Sequence, residues 1–357
     1  MSVMIYGASG WTGSQVAVAL KKLGVPLVLS GRSSDRLREL ASRLGKSDVS
    51  VRDAPLSHPA RLREAMRDVR VVVNCAGPLA EVGPPVVDAA LATGAHYLDV
   101  SGEETYVADV YGLDAQARAR GITLGPAFAA KGALGDWAAS LLQRDGALDE
   151  VAVAYAHGLR EYFRPSVASV LSSAGQGFFR GPEWDAREFI VPRAFGFPPP
   201  FRRGLALRVP AAEDLSIPKH VAAKKVETYI ALDPGGPWNE LWARSSLASL
   251  PLMPSIGRLL YSNWGRLHLH LYLPKPESSH RDDSFAVSVE ASRGGTRTRM
   301  GIATYDAYAA TAEIVVLGVR RLLEGDVPAG TLAPAQICDA AATLDELREI
   351  GAIRLYG

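Results

Sequence analysis

The feature that most constrains this chain is a regular alternation of short apolar runs and helical patterns over residues 1–130, opened by a glycine loop. Val3–Tyr6 is an apolar run, and Gly7-Ala8-Ser9-Gly10-Trp11-Thr12-Gly13 follows it directly. Val16, Leu20 and Leu23 then recur at helical spacing. Pro26–Ser30 reads as a second buried strand. Leu37, Leu40 and Leu44 mark a helix over Asp35–Leu44, with Ser33 or Ser34 as N-cap. Val49–Arg52 is a weaker third strand, and Leu62, Met66 and Val69 mark a further helix. Val71–Asn74 is the fourth strand, with a helix after it from about Pro85. His96–Val100 is the fifth, Thr105–Arg120 is helical, and Gly121–Leu124 is the sixth. Strands separated by helices require right-handed crossovers, so this part predicts a doubly wound parallel sheet of the Rossmann type. Ligands of such sheets lie beyond the carboxyl ends of the strands, where the loops at 7–13, 31–36, 74–80, 101–104 and 126–135 fall.

The first of these loops is a G-x-x-G-x-x-G between a strand and a helix. Glycines allow a tight turn and close backbone approach to a pyrophosphate, and the helix N-terminus adds unpaired N–H groups and a positive dipole end. Gly7, Ala8, Ser9, Gly10, Trp11, Thr12 and Gly13 are therefore read as dinucleotide-binding. The end of the second strand selects the dinucleotide. An NAD site carries an acid there for the ribose hydroxyls. No acidic residue occurs between Gly13 and Asp35; the chain reads Gly31-Arg32-Ser33-Ser34 and then Arg36. Guanidinium and hydroxyl groups suit a 2′-phosphate, which favours NADP(H).

Length and composition bound the rest. At 357 residues the chain has room for about two domains. Hydrophobic residues at 48% and charged residues at 22% exclude a disordered chain. Lys and Arg total 39 against 38 Asp and Glu, so no bulk charge favours nucleic acid. Cys75 and Cys338 are too few for a disulfide framework. Neither a secretory leader nor an uncharged apolar run of membrane-spanning length is read, and a cytoplasmic protein is expected.

From Val151 the pattern changes. Val151–Ala156 and Val226–Leu232 read as strands, and Phe285–Ser292 with Arg297–Thr304 as a hairpin around Gly294-Gly295. Ser166–Phe179 is expected to be helical. Phe195-Gly196-Phe197-Pro198-Pro199-Pro200-Phe201 reads as a covering loop or lid. Tyr305–Leu323 is a long helix leading back to the first domain, and Leu344–Ile350 a short last one. The expected organisation is a nucleotide domain over 1–135 and 305–357, with an inserted α+β mixed-sheet domain over 136–304. The insert closes over the nicotinamide and selects substrate. Its aromatic-rich stretch 238–264 points to a lipophilic, free or carrier-bound substrate, or else to core or a homodimer interface. His268 and His270 lack a third ligand, so no metal is expected.

Lys131, Tyr155, His157 and Tyr162 are the proton donors near the expected domain junction. Lys131 is at the ligand edge and is a candidate for catalysis or substrate anchoring. None of the 12 tyrosines has a lysine four residues on, which excludes the Tyr-x-x-x-Lys pair of short-chain dehydrogenases. Cys75 lacks a base partner and reads as a small buried residue.

Three stretches together resemble the saccharopine dehydrogenase-like family: the glycine loop, Val72-Val73-Asn74-Cys75-Ala76-Gly77-Pro78, and His96-Tyr97-Leu98-Asp99-Val100-Ser101-Gly102-Glu103. That family includes saccharopine reductases and trans-acting enoyl reductases. The resemblance implies that Gly7, Ser9, Gly10, Trp11, Thr12 and Gly13 hold the pyrophosphate, and Arg32 and Ser33 the 2′-phosphate. It implies that Asn74, Ala76, Gly77 and Pro78 line the groove from adenosine to nicotinamide. Ser101, Gly102 and Glu103 would lie near the nicotinamide, with Glu103 orienting an amide or amine or capping the next helix. The chain departs from many relatives at Gly125-Pro126-Ala127-Phe128-Ala129-Ala130-Lys131-Gly132-Ala133-Leu134-Gly135-Asp136, which keeps the Gly-Asp ending but not an earlier Asp-Ser. The implied activity is NADPH-dependent reduction of a C=N or C=C bond in a small or lipophilic intermediate. The alternative is a catalytically silent NADP(H)-binding sensor or assembly partner.

Overall fold

The structure, a computed structural model, describes residues 2–45, 47–143, 146–158, 192–249 and 285–357. Two sheets of seven strands organise two compact units. The first unit comprises Met1–Gly102, Tyr106–Ala133 and Tyr308–Thr343. Its strands are β1 (Ser2–Tyr6), β2 (Leu27–Gly31), β3 (Val49–Asp53), β4 (Val69–Asn74), β5 (His96–Asp99), β6 (Thr123–Gly125) and a late β13 (Gly330–Thr331). They run in the order β13-β6-β5-β4-β1-β2-β3, every pair parallel. This is the doubly wound Rossmann sheet expected. Central strands of such a sheet are covered on both faces, so β2 and β5 are buried at every position. The chain order reverses between β1 and β4, and the loops after these two strands flank that switch point.

Helices α1 (Trp11–Lys21), α2 (Ser34–Leu44), α3 (Pro59–Ala65), α4 (Leu79–Thr93), α5 (Glu104–Tyr111) and α6 (Asp114–Arg120) link these strands. Two boundaries differ from expectation. α4 starts at Leu79 rather than near Pro85 and carries Pro84 and Pro85 inside it. Its apolar face explains this: Leu79, Gly83, Val86, Val87, Ala90 and Leu91 are all buried, and that burial outweighs the cost of proline in a helix. The single helix read over Thr105–Arg120 is broken in two around Gly112.

The second unit comprises Glu103–Thr105, Leu134–Ala307 and Leu344–Gly357. Its strands are β7 (Glu150–His157), β8 (Arg193–Gly196), β9 (Arg203–Arg208), β10 (Val226–Leu232), β11 (Phe285–Arg293), β12 (Thr296–Thr304) and β14 (Arg354–Tyr356), in the order β14-β12-β11-β7-β10-β9-β8. β7 and β10 are parallel and the other pairs antiparallel, so the sheet is mixed, in an α+β unit. The tail expected in the nucleotide domain is divided. Helix Ala307–Glu324 and β13 serve the first sheet, whereas β14 pairs with β12 through Ile302 and Leu355.

The stretch read as a lid is core. Ala152, Ala154 and Ala156 line one face of β7, and Phe195, Phe197 and Phe201 pack against these small residues with Tyr229 and Ala231. Phe195 is fully buried, with its ring centroid 4.9 Å from that of Tyr229. Small residues on the strands leave the volume that the aromatic rings fill. The helix expected over 166–179 and Tyr162 lie outside the described residues, as does most of the aromatic stretch 238–264. Trp238 and Leu241, at the start of that stretch, are exposed.

Candidate functional site

The glycine loop owes its shape to what side chains would meet there. Gly7 has φ +81°, and a Cβ on it would lie 2.7 Å from Ala76. A Cβ on Gly13 would lie 2.3 Å from the Gly7 carbonyl oxygen, so only glycine lets α1 approach the β1 turn this closely. The N–H groups of Gly7 and Ala8 are bonded to Ser30, and that of Gly10 to Gly7. The first backbone bond of α1 comes from Ser14, donated to Gly10. The N–H groups of Trp11, Thr12 and Gly13 therefore point out of the helix end without intrahelical partners, and no acid sits in the first turn. This is an anion cradle. The Trp11 ring rests edge-on against Tyr308, with centroids 6.5 Å apart.

At the end of β2, Arg32 and Arg36 are exposed. Ser33 is the N-cap of α2, yet its hydroxyl makes no capping bond. Two cations and a hydroxyl with no capping partner thus stand where an NAD site has a carboxylate, an arrangement that fits a 2′-phosphate. Asp35 is exposed and held by Arg38 at 2.8 Å, and the parallel pairing of β2 with β3 sets Asp53 beside Gly31.

The loops after β4 and β5 are fastened from below. Asn74 is buried; its Nδ2 donates to the Tyr97 hydroxyl at 3.1 Å, and its Oδ1 accepts from the Ala76 N–H at 3.1 Å. Tyr97 and Tyr106 share a 2.7 Å hydroxyl contact, and burial pushes both phenols well up. A Cβ on Gly83 would lie 2.2 Å from the Tyr106 ring, so this glycine makes room for the tyrosine pair. Asn74 thereby orients the loop containing Ala76, Gly77 and Pro78 rather than standing open to a ligand itself. Cys75 is partly exposed, and burial followed by the Asp99 charge pushes its thiol up, away from nucleophilic use.

The fold brings Gly102 and Lys131 together: a Cβ on Gly102 would lie 3.7 Å from Lys131 Cδ. Lys131 is half-buried, in extended backbone just before Gly132 with φ +113°, ahead of the regular turns of α7 (Ala130–Leu142). The Ala130 N–H donates to Thr311 on helix Ala307–Glu324 at 3.0 Å, which anchors this loop. Ser101 and Glu103 are buried, with Ser101 bonded to Asp99. In the second unit, Tyr155 is fully buried, donates to Glu213 and stacks on Phe285 at 5.6 Å. His157 is half-buried, edge-on to the same Phe285 ring at 5.2 Å. These two therefore sit beside one another in the second unit. Sequence reasoning quoted Asp99 and Tyr97 without giving them a role and did not single out Thr311. An acid inside a strand that is otherwise apolar was the available signal.

Among the described residues no cluster of three or more His, Cys, Asp or Glu could hold a metal, and no helix is long and apolar enough to cross a membrane.

Residues 3–124 match the family model of the saccharopine dehydrogenase NADP binding domain. A saccharopine dehydrogenase-like oxidoreductase of Mus musculus is 32% identical over 121 residues, which is 29% of this chain and 28% of that protein. A trans-acting enoyl reductase of Mycobacterium leprae is 35% identical over 105 residues, 28% of this chain and 25% of the relative. A lipid droplet localized protein of Caenorhabditis elegans is 36% identical over 115 residues, 29% and 27% of the two chains. The matched part is thus under a third of each relative's length. Among solved structures, apo saccharopine dehydrogenase (L-Glu forming) of Saccharomyces cerevisiae superposes over 100% of both chains with a TM-score of 0.64 at 13% identity, a likeness of fold.

Proposed function

We propose that the protein, whose residues 3–124 match the saccharopine dehydrogenase NADP binding domain, is an NADPH-dependent reductase of a C=N or C=C bond in a small or lipophilic metabolite. The observation that carries the cofactor half is the pairing of a glycine-built anion cradle with Arg32 and an uncapped Ser33 in place of an acid. The reaction class is supported by the relatives, named as saccharopine dehydrogenase-like oxidoreductases and a trans-acting enoyl reductase. A cytoplasmic setting goes with this reading and is supported by Cys75 and Cys338 both being free thiols.

Bound NADPH supplies a hydride to an electrophilic carbon, and the protein supplies position and charge. The N–H groups of Trp11, Thr12 and Gly13 bind the pyrophosphate, and Arg32 with Ser33 binds the 2′-phosphate. Ser101 and Gly102 border the nicotinamide end. Lys131, seated on Gly102, anchors the substrate or returns a proton to it. Tyr155 and His157 remain proton-donor candidates of the second unit, with the Tyr155 hydroxyl already given to Glu213.

Steady NADPH oxidation, followed by absorbance with a panel of cyclic imines and enoyl thioesters, tests the reading. Turnover on one class supports it. Saturable NADPH binding with no turnover across the panel favours the silent binding protein instead. Arg32→Ala is expected to weaken NADPH by about tenfold or more and NADH by no more than about threefold. Equal small changes for both nucleotides would overturn the assignment to NADP(H).

A further inference from the structure

Asp99 closes β5, a strand buried at every position, and its side chain is fully enclosed. A carboxyl in such a place needs partners. Three hydrogen bonds converge on one oxygen, and the Tyr106 hydroxyl acts on the same carboxyl. Oδ1 accepts from the Ser101 N–H at 2.9 Å, from the Ser101 hydroxyl at 2.5 Å and from the Ala127 N–H at 3.0 Å. The Ser101 hydroxyl oxygen also lies 3.2 Å from the same Ala127 N–H, and the Asp99 carbonyl accepts from the Phe128 N–H at 2.8 Å. Ser101 belongs to the loop after β5 and Ala127 to the loop after β6. One side chain thus ties two ligand-edge loops that have no strand bond to each other at this point.

The tie continues to Lys131. Ala127 is held at φ +62°, a left-handed backbone that a residue other than glycine keeps only when its surroundings impose it. That conformation presses the Ala127 carbonyl oxygen to within 2.6 Å of the Cβ position of Gly132, the residue after Lys131. The Lys131 stem lies beside Gly102, the residue after Ser101, where an added Cβ would be 3.7 Å from its Cδ. Asp99, Ala127, Gly132, Lys131, Gly102 and Ser101 are thus successive neighbours around one loop pair.

We propose that Asp99 is a positioning residue: by gathering Ser101 and Ala127 on one carboxyl oxygen, it sets the separation of the loops that present Gly102 and Lys131 to the nicotinamide end of the cofactor. This rests on the reading of the protein as an NADP(H) enzyme and names a part of its machinery outside the glycine loop and the 2′-phosphate site. What the role requires is an acceptor at Oδ1, not a negative charge. Burial pushes the carboxyl up, against the lowering effect of Ser101, Ala127 and the Tyr106 hydroxyl. An asparagine offers the same acceptor in the same place.

The experiment compares Asp99→Ala, Asp99→Asn and Ser101→Ala in the full chain. Calorimetric titration uses two ligands: NADPH, and adenosine 2′,5′-bisphosphate, which carries the 2′-phosphate but no nicotinamide. Asp99→Ala is expected to weaken NADPH by about tenfold while leaving the bisphosphate within about twofold. Asp99→Asn is expected to restore NADPH to within about threefold of wild type. Ser101→Ala, which deletes a single hydroxyl and keeps the fold even if Asp99→Ala does not, should fall between the two. Loss of both ligands in equal measure would overturn the proposal, because a purely structural role moves both. So would unchanged NADPH affinity in Asp99→Ala or Ser101→Ala, or an Asp99→Asn as weak as Asp99→Ala. Wild-type protein that binds neither ligand overturns the cofactor reading itself and the positioning role with it.

Discussion

Gly13 carries the sharpest demand at the scale of a single residue. A methyl group there would sit 2.3 Å from the Gly7 carbonyl oxygen and 2.9 Å from Ala8 Cα, both rigid backbone. Either α1 withdraws or the β1 turn opens, and each displaces the N–H groups that form the anion cradle. Gly13→Ala is therefore expected to cost about 1–3 kcal/mol of stability and to weaken NADPH by at least about tenfold, measured by urea unfolding and titration. Wild-type behaviour in both assays would mean that the close approach is not needed. Residues of this kind were legible in the sequence because their chemistry is local: a glycine spacing, a missing acid, an arginine after a strand. Asp99 was not, since its meaning lies in Ala127, which is 28 residues away in the chain. Cys75 follows the same logic in reverse. Its raised thiol makes it a poor nucleophile, so iodoacetamide should alkylate it far more slowly at pH 8 than it alkylates free cysteine.

Among the elements, legibility tracked burial and length. β1, β2 and β4 lie inside the sheet, so largely apolar runs announced them. β13 has two residues and β14 three, too few for any periodicity to register. β8 hid inside a Pro- and Phe-rich stretch that looks like loop because proline is rare in strands. Its burial pattern shows otherwise, and the sheet curls so that Arg193 of β8 reaches Glu150 of β7 at 2.7 Å and Glu290 of β11 at 2.9 Å. The guanidinium also lies 4.8 Å from the Phe195 ring centroid, two residues on along the same face of the strand. Core and lid make opposite forecasts for Phe195→Ala. A core ring lost from the Ala152–Ala156 face costs about 3–5 kcal/mol in denaturant unfolding. A lid ring would leave stability within about 0.5 kcal/mol and change only substrate kinetics.

The whole molecule is built by a chain that leaves its first unit briefly at Glu103–Thr105 and again after Ala133, returns at Tyr308 and leaves once more at Leu344. The first unit has a buried titratable group and the second a partly buried one, and the two work in opposite directions with pH. In the first unit, His96 is buried; its Nδ1 accepts from the Thr123 N–H at 3.0 Å. Burial and then Arg70 lower it from 6.5 to about 4. The unfolded chain therefore takes up a proton between pH 6.5 and 4 that the folded chain refuses, so this term falls as pH falls, by up to about 1.4 kcal/mol per pH unit. In the second unit, burial raises Asp214 from 3.8 to about 7, against the lowering effect of its bond from Thr228. Here the folded chain keeps a proton that the unfolded chain releases, so this stability is complete below pH 3.8 and is lost as pH rises towards 7. Wild-type stability between pH 4 and 6.5 should accordingly be flatter than either group alone would make it. His96→Asn, which keeps an acceptor for Thr123, removes the first term and should make the protein relatively more stable at the acid end of that window than at neutrality. Asp214→Asn, which keeps the acceptor for Thr228, removes the second and should steepen the loss on acidification. Unfolding free energies of the two variants minus wild type, measured from pH 4 to 7, should run with opposite slopes; parallel slopes would show that neither group titrates as its surroundings dictate.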